Sequence, residues 1–98
     1  PEKTEPALDC DETVVKFIYL EPGHEAPPHS HQDASDVLVI VEGEGEATVD
    51  GKKERVSVGD VILNPSGTLH GIKNDGSKRL RYVAVQSPPP NRKTKRES

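Results

Sequence analysis

No stretch of this chain keeps a helical spacing of apolar residues for the ten or so positions that a helix needs. Glycine and proline break it too often. Glu21-Pro22-Gly23, Ala26-Pro27-Pro28, Glu42-Gly43-Glu44-Gly45, Gly59-Asp60, Asn64-Pro65-Ser66-Gly67 and Asn74-Asp75-Gly76-Ser77 all interrupt it. Between these breaks the apolar residues form short blocks rich in β-branched and aromatic side chains, at 13–20, 36–41, 61–63, 69–73 and 79–86. Seven or eight short strands with a turn every several residues predict an all-β sandwich or barrel.

The clearest hairpin runs from 44 to 58. Asp50-Gly51 is a favoured two-residue turn for strands with native twist. Pairing around it sets Glu46 opposite Arg55 and Thr48 opposite Lys53, with Glu44 and Ser57 on the same water-facing side. Gly45, Ala47, Val49, Val56 and Val58 then turn toward the core. A Glu46–Arg55 pair, worth roughly 0.2–1 kcal/mol, would help to fix the register. Residues 13–20 carry Val15, Phe17 and Tyr19 on one face and Val14, Ile18 and Leu20 on the other. One face belongs to the core and the other to a subunit contact, which predicts a homodimer and protects open sheet edges.

At 98 residues the chain is one domain. Residues 1–12 read as a loose acidic segment with Leu8 on the body, 13–87 as the β-barrel, and 88–98 as a polyproline and basic tail. A net charge of −4 and three aromatic residues argue against nucleic acid, so the RKTKR run reads as a solvated tail. The longest Val/Ile/Leu run, 37–41, is far too short to span a bilayer. A single cysteine, Cys10, and the lack of a signal-peptide pattern predict a cytoplasmic location.

Residues 23–43 hold three of the four histidines. The two-residue spacing of His29 and His31 puts both imidazoles on one side of an extended segment. Asp36 follows across a polar turn, and His70 lies far along the chain in its own glycine-bounded segment. Imidazole and carboxylate together suit transition metals. The His-x-His pattern alone also fits histidines of a surface loop. His24 reads as an exposed loop histidine near the site mouth, Asp33 as part of a solvated turn, and Tyr82 and Gln86 as candidate pocket-lining residues on the face of Leu80 and Ala84. Gly23, Gly43, Gly59 and Gly67 read as turn residues at positive φ.

The two segments together resemble the paired motifs of the cupins. The first, G-x5-HxH-x4-E-x6-G, is met by Gly23, His29, His31, Asp36 in the glutamate place, and Gly43. The second, G-x5-PxG-x2-H-x3-N, is met at every position by Gly59, Pro65, Gly67, His70 and Asn74. The resemblance implies a small jelly-roll barrel, or double-stranded β-helix. It also implies a divalent metal (iron, manganese, nickel, zinc or copper) held by His29, His31, Asp36 and His70, with two positions left for water, oxygen or substrate. Aspartate is one methylene shorter than glutamate. Direct ligation, ligation through water, and support of an imidazole from outside the ligand set are therefore all open for Asp36.

Cupins span many activities, so fold does not name function. The full set of ligand types predicts a metal-dependent enzyme, of oxygenase type or isomerase/lyase type, acting on a small molecule. No catalytic residue is assigned. The alternative is a non-catalytic small-molecule-binding or sensory module. It rests on the brevity of the chain, which leaves no loop for a lid between Gly43 and Gly59.

Overall fold

The structure is a computed structural model and describes residues 2–9 and 12–88. Cys10 and the 89–98 tail lie outside the described residues, as does the side chain of Leu8. The described residues form nine strands: β1 (Glu2–Asp9), β2 (Val14–Leu20), β3 (Glu25–His29), β4 (Ser35–Glu42), β5 (Glu44–Val49), β6 (Lys52–Ser57), β7 (Val61–Asn64), β8 (His70–Lys73) and β9 (Leu80–Ser87). They form two antiparallel sheets, ordered β1-β2-β9-β4-β7 and β3-β8-β5-β6. The described residues include no helix, and so none long and apolar enough to cross a membrane. The all-β expectation holds.

Strand register turns the polarity of each strand into depth. Reading the inward rows of the five-stranded sheet from one end, Leu20 pairs with Leu80, and Ile18 with Tyr82 and then Ile40. The next row is Lys16, Ala84, Leu38 and Ile62, and the last is Val14, Gln86, Asp36 and Asn64. The apolar rows pack on Ala26, Ala47, Val56 and Ile72 of the other sheet to make the core. Complete burial of Leu20 and Leu80 contributes about 1.5–3 kcal/mol each. The polar row closes one end of the barrel, and the metal-type residues gather there.

Several expectations are corrected. Residues 2–9 are not loose: they pair with β2 as a ninth strand, with an irregularity between Pro6 and Leu8. EKTEPALD shows no apolar alternation, so the pairing rests on main-chain hydrogen bonds that local pattern does not reveal. Residues 25–29 add a further strand, β3, whose register slips between Ala26 and His29, where two prolines lack a donor. Val58 does not join the core but stands 62 % exposed. It lies in the turn after β6, where the Ser57 amide donates to the Asp60 carboxylate and the Asp60 amide to the Ser57 carbonyl.

The hairpin register is as expected, with Glu46 opposite Arg55 and Thr48 opposite Lys53. Asp50 and Gly51 both take positive φ, as this turn requires. The Arg55 guanidinium nevertheless reaches Asp75 and, diagonally at 3.5 Å, Glu44. Sheet twist favours these partners over the residue directly opposite. On β2, Ile18 and Leu20 are buried, while Val15, Phe17 and Tyr19 are half-buried on the outer face. Arg81 lies over Phe17 at 5.6 Å and Arg79 over Tyr19 at 5.0 Å.

Candidate metal centre

Three backbone devices bring the two motif segments together. His29, the last residue of β3, pairs directly with His70, the first of β8. The Gly67 amide donates to the His31 carbonyl at 2.8 Å, tying the turn of the second motif to the loop of the first. Gly71 permits the close approach of β3 to β8: a Cβ there would stand 2.9 Å from the Ala26 carbonyl oxygen and 3.0 Å from the Pro28 nitrogen. Any side chain at position 71 would push β3, and His29 with it, away from His70. Gly23, Gly43, Gly59 and Gly67 all have positive φ, as the turn reading requires.

The four candidate ligands converge. One donor atom from each of His29, His31, Asp36 and His70 lies within 4.8 Å of every other, a group that could hold a metal ion. The imidazole centroids are 4.6–5.7 Å apart. Asp36 reaches the cluster despite its short side chain, because β4 carries it in the innermost polar row beside Gln86 and Asn64. Its Oδ2 lies 3.1 Å from His70 Nε2 and 3.5 Å from His31 Nε2. Burial falls across the group from His70 and Asp36, both buried, through His31 to exposed His29. The cluster therefore opens toward solvent on the His29 side.

The donor chemistry fits a cation. Pro27 O lies 2.9 Å from His29 Nδ1 and Thr68 O lies 3.2 Å from His70 Nδ1, so each Nδ1–H has a carbonyl to donate to. His70 Nε2 stands 3.1 Å from the Asp36 carboxylate oxygen, close enough for an Nε2–H to donate to it or for both atoms to ligate one cation. Asp36 Oδ1 is also buried without a hydrogen-bond partner, an arrangement that costs free energy unless another group satisfies it. Burial pushes the His31 imidazole below its ordinary pKa of 6.5; the nearby His29, His70 and Lys16 act the same way, and Asp36 opposes them. A neutral imidazole is the form that ligates metal.

A cavity of about 160 Å³ lies between the sheets against this cluster. Tyr82 and Gln86 line it, as their shared strand face suggested, and Gln86 Nε2 stands 3.4 Å from His31 Nε2. His24 does not line it and is half-buried rather than exposed; its main chain is held by Glu21 and Asn74. Asp33 is exposed and also stands apart from the lining. Sequence reasoning missed two residues, Gly71 and Lys16. The glycine beside His70 was a local sign of the first. The second had none, because β2 is apolar on both faces and alternation did not say which face is inner.

A profile of the Cupin domain family matches residues 16–86. The chain belongs to the cupin family. A gentisate 1,2-dioxygenase of Ralstonia is 45 % identical over 67 residues, covering 67 % of this chain and 19 % of the relative. An oxalate-binding protein of Thermotoga maritima is 35 % identical over 66 residues, covering 67 % of this chain and 54 % of the relative. The chain thus spans about a fifth of one relative and about half of the other. Among solved structures, the TT1209 protein of Thermus thermophilus superposes with a TM-score of 0.87 at 22 % identity, over 91 % of this chain and 85 % of that one. This likeness shows the cupin jelly-roll fold. Asp36, which stands where the first motif has glutamate, brings a carboxylate oxygen within 4.8 Å of the histidine donor atoms.

Proposed function

We propose that this cupin binds a divalent transition metal through His29, His31, Asp36 and His70, with Asp36 as a direct ligand, and acts as a metal-dependent enzyme on a small molecule. The convergence of the four donors within 4.8 Å, against a cavity between the sheets, carries the reading. The unpartnered Oδ1 of Asp36 and the 3.1 Å approach of its Oδ2 to His70 Nε2 support direct ligation. When bound, such an ion supplies a Lewis-acid centre for polarising an oxygen-bearing ligand or for dioxygen chemistry.

The chain's own residues do the rest. Pro27 O and Thr68 O orient two imidazoles, and outer partners of this kind commonly govern metal affinity. Ile18, Leu38 and Ile72 keep the inner wall apolar. Of the reaction classes open to a cupin, the relative named a gentisate dioxygenase favours oxygenase over isomerase or lyase. The relative named an oxalate-binding protein favours a second reading, a binding module without turnover. Both names denote carboxylate ligands. We place the protein in the cytoplasm on its single cysteine.

Dioxygen uptake by the iron-loaded protein, measured against a panel of small hydroxy-aromatic and aliphatic acids, separates the two readings. Substrate-dependent uptake that His70→Ala abolishes supports the oxygenase. Saturable binding of an acid, with neither uptake nor product, supports the module.

A further inference from the structure

The cavity wall carries one lysine, and its position bears on the choice of ligand. Lys16 comes from β2 and faces inward, in a row whose other members, Ala84, Leu38 and Ile62, are all apolar. The next row toward the barrel end holds Gln86 and Asp36, so Lys16 lines the same cavity as the histidine cluster. Lys16 is half-buried, and no ion pair or hydrogen bond engages its side chain among the described residues. The carboxylate in the cavity lining, Asp36, is turned to His70 and His31. A half-buried cation at a cavity wall is a ready partner for an anion placed beside it, because a charge-assisted hydrogen bond is stronger there than in bulk water.

We propose that Lys16 is the specificity-determining residue of the cavity, holding the carboxylate of a small organic acid whose other oxygen-bearing group faces His29, His31, Asp36 and His70. This rests on the metal-binding reading of the site. Charge supports the same class of ligand. Three neutral imidazoles and one carboxylate leave a divalent ion with one net positive charge, and Lys16 adds a second. A dicarboxylate neutralises both, and a monocarboxylate with an ionisable hydroxyl does so on losing that proton. Size limits the ligand further. At about 160 Å³ the cavity has room for a benzene-sized molecule, since cavities of about 150 Å³ take up benzene.

The test is calorimetric titration of the zinc-reconstituted protein with malonate and with salicylate, each against its amide, malonamide or salicylamide. Zinc content is measured before and after each titration. The wild-type protein is expected to bind at least one acid about tenfold or more tighter than its amide. Lys16→Met, which keeps the aliphatic stem, is expected to retain zinc and to lose about ten- to a hundredfold in affinity for the acid, the scale of one charge-assisted hydrogen bond. Lys16→Arg is expected to restore most of the loss, and it provides a folded comparison if the methionine variant does not fold. Equal acid affinity in wild type and Lys16→Met, with zinc stoichiometric in both, overturns the proposal and leaves the metal reading intact. So does wild-type affinity no greater for either acid than for its amide. A wild type that takes up no zinc overturns the metal reading and this proposal with it.

Discussion

Asn74 shows how a motif residue can be fixed by structure rather than by chemistry. Its side chain is fully buried and donates through Nδ2 to the carbonyls of Leu20 and Lys78, both at 2.8 Å, while Oδ1 accepts from the Gly76 amide. Its main chain bonds to Gly23 and His24. One residue therefore joins the end of β2, the loop before β3 and the turn from β8 to β9. Asn74→Ala leaves the Leu20 carbonyl without its side-chain donor and is expected to cost about 2–4 kcal/mol, read as a lowered denaturation midpoint. Metal stoichiometry of the folded fraction should stay unchanged, because Asn74 touches none of the four candidate ligands. The ligands were legible in the sequence because their spacing is local: His29 and His31 alternate, and His70 has its own proline-glycine frame. Lys16 was not, because nothing in VVKFIYL distinguishes the core face from the outer one until β9 is laid against it.

The strands that sequence reasoning found are those whose residues alternate or branch at Cβ. β4, β9 and the β5–β6 hairpin stand where expected, and Asp50-Gly51 sets the register it implied. The two strands not counted, β1 and β3, carry no such pattern. β1 is charged and proline-interrupted, and its existence depends on the free edge of β2. β3 contains two prolines and is held to β8 at its ends, at Ala26 and at His29. Both are cases in which a neighbouring strand supplies what local propensity lacks. The same limit explains Val58. Hairpin alternation carries it inward, but the chain has already left β6 to turn at Gly59.

At the scale of the molecule, the outer face of the five-stranded sheet is unusually apolar. Register aligns Val15, Val85, Val37 and Leu63 in one row and Phe17, Val83, Val39 and Val61 in the next. Val61 and Leu63 are 63 % and 60 % exposed. A contiguous apolar surface of this kind marks an interaction site. With two adjacent apolar rows, it suits an isologous contact with a second copy, two sheets packing face to face at about 30°. We propose a homodimer through this face. Sedimentation at micromolar concentration should find a dimer for the wild type and a monomer for Val83→Lys, with metal content equal in both. A monodisperse wild-type monomer contradicts the proposal.

The central claim is that two segments nearly forty residues apart, carrying His31 and His70, fold into one metal centre with Asp36 in a glutamate's place. Elemental analysis of the reconstituted wild-type chain, beside His29→Ala, Asp36→Ala and His70→Ala, tests this most directly. The expected result is one transition-metal ion per wild-type chain and strongly reduced occupancy in all three variants. Retention of full occupancy by Asp36→Ala would reduce the centre to its three histidines, and a wild-type chain that takes up no metal would contradict the account.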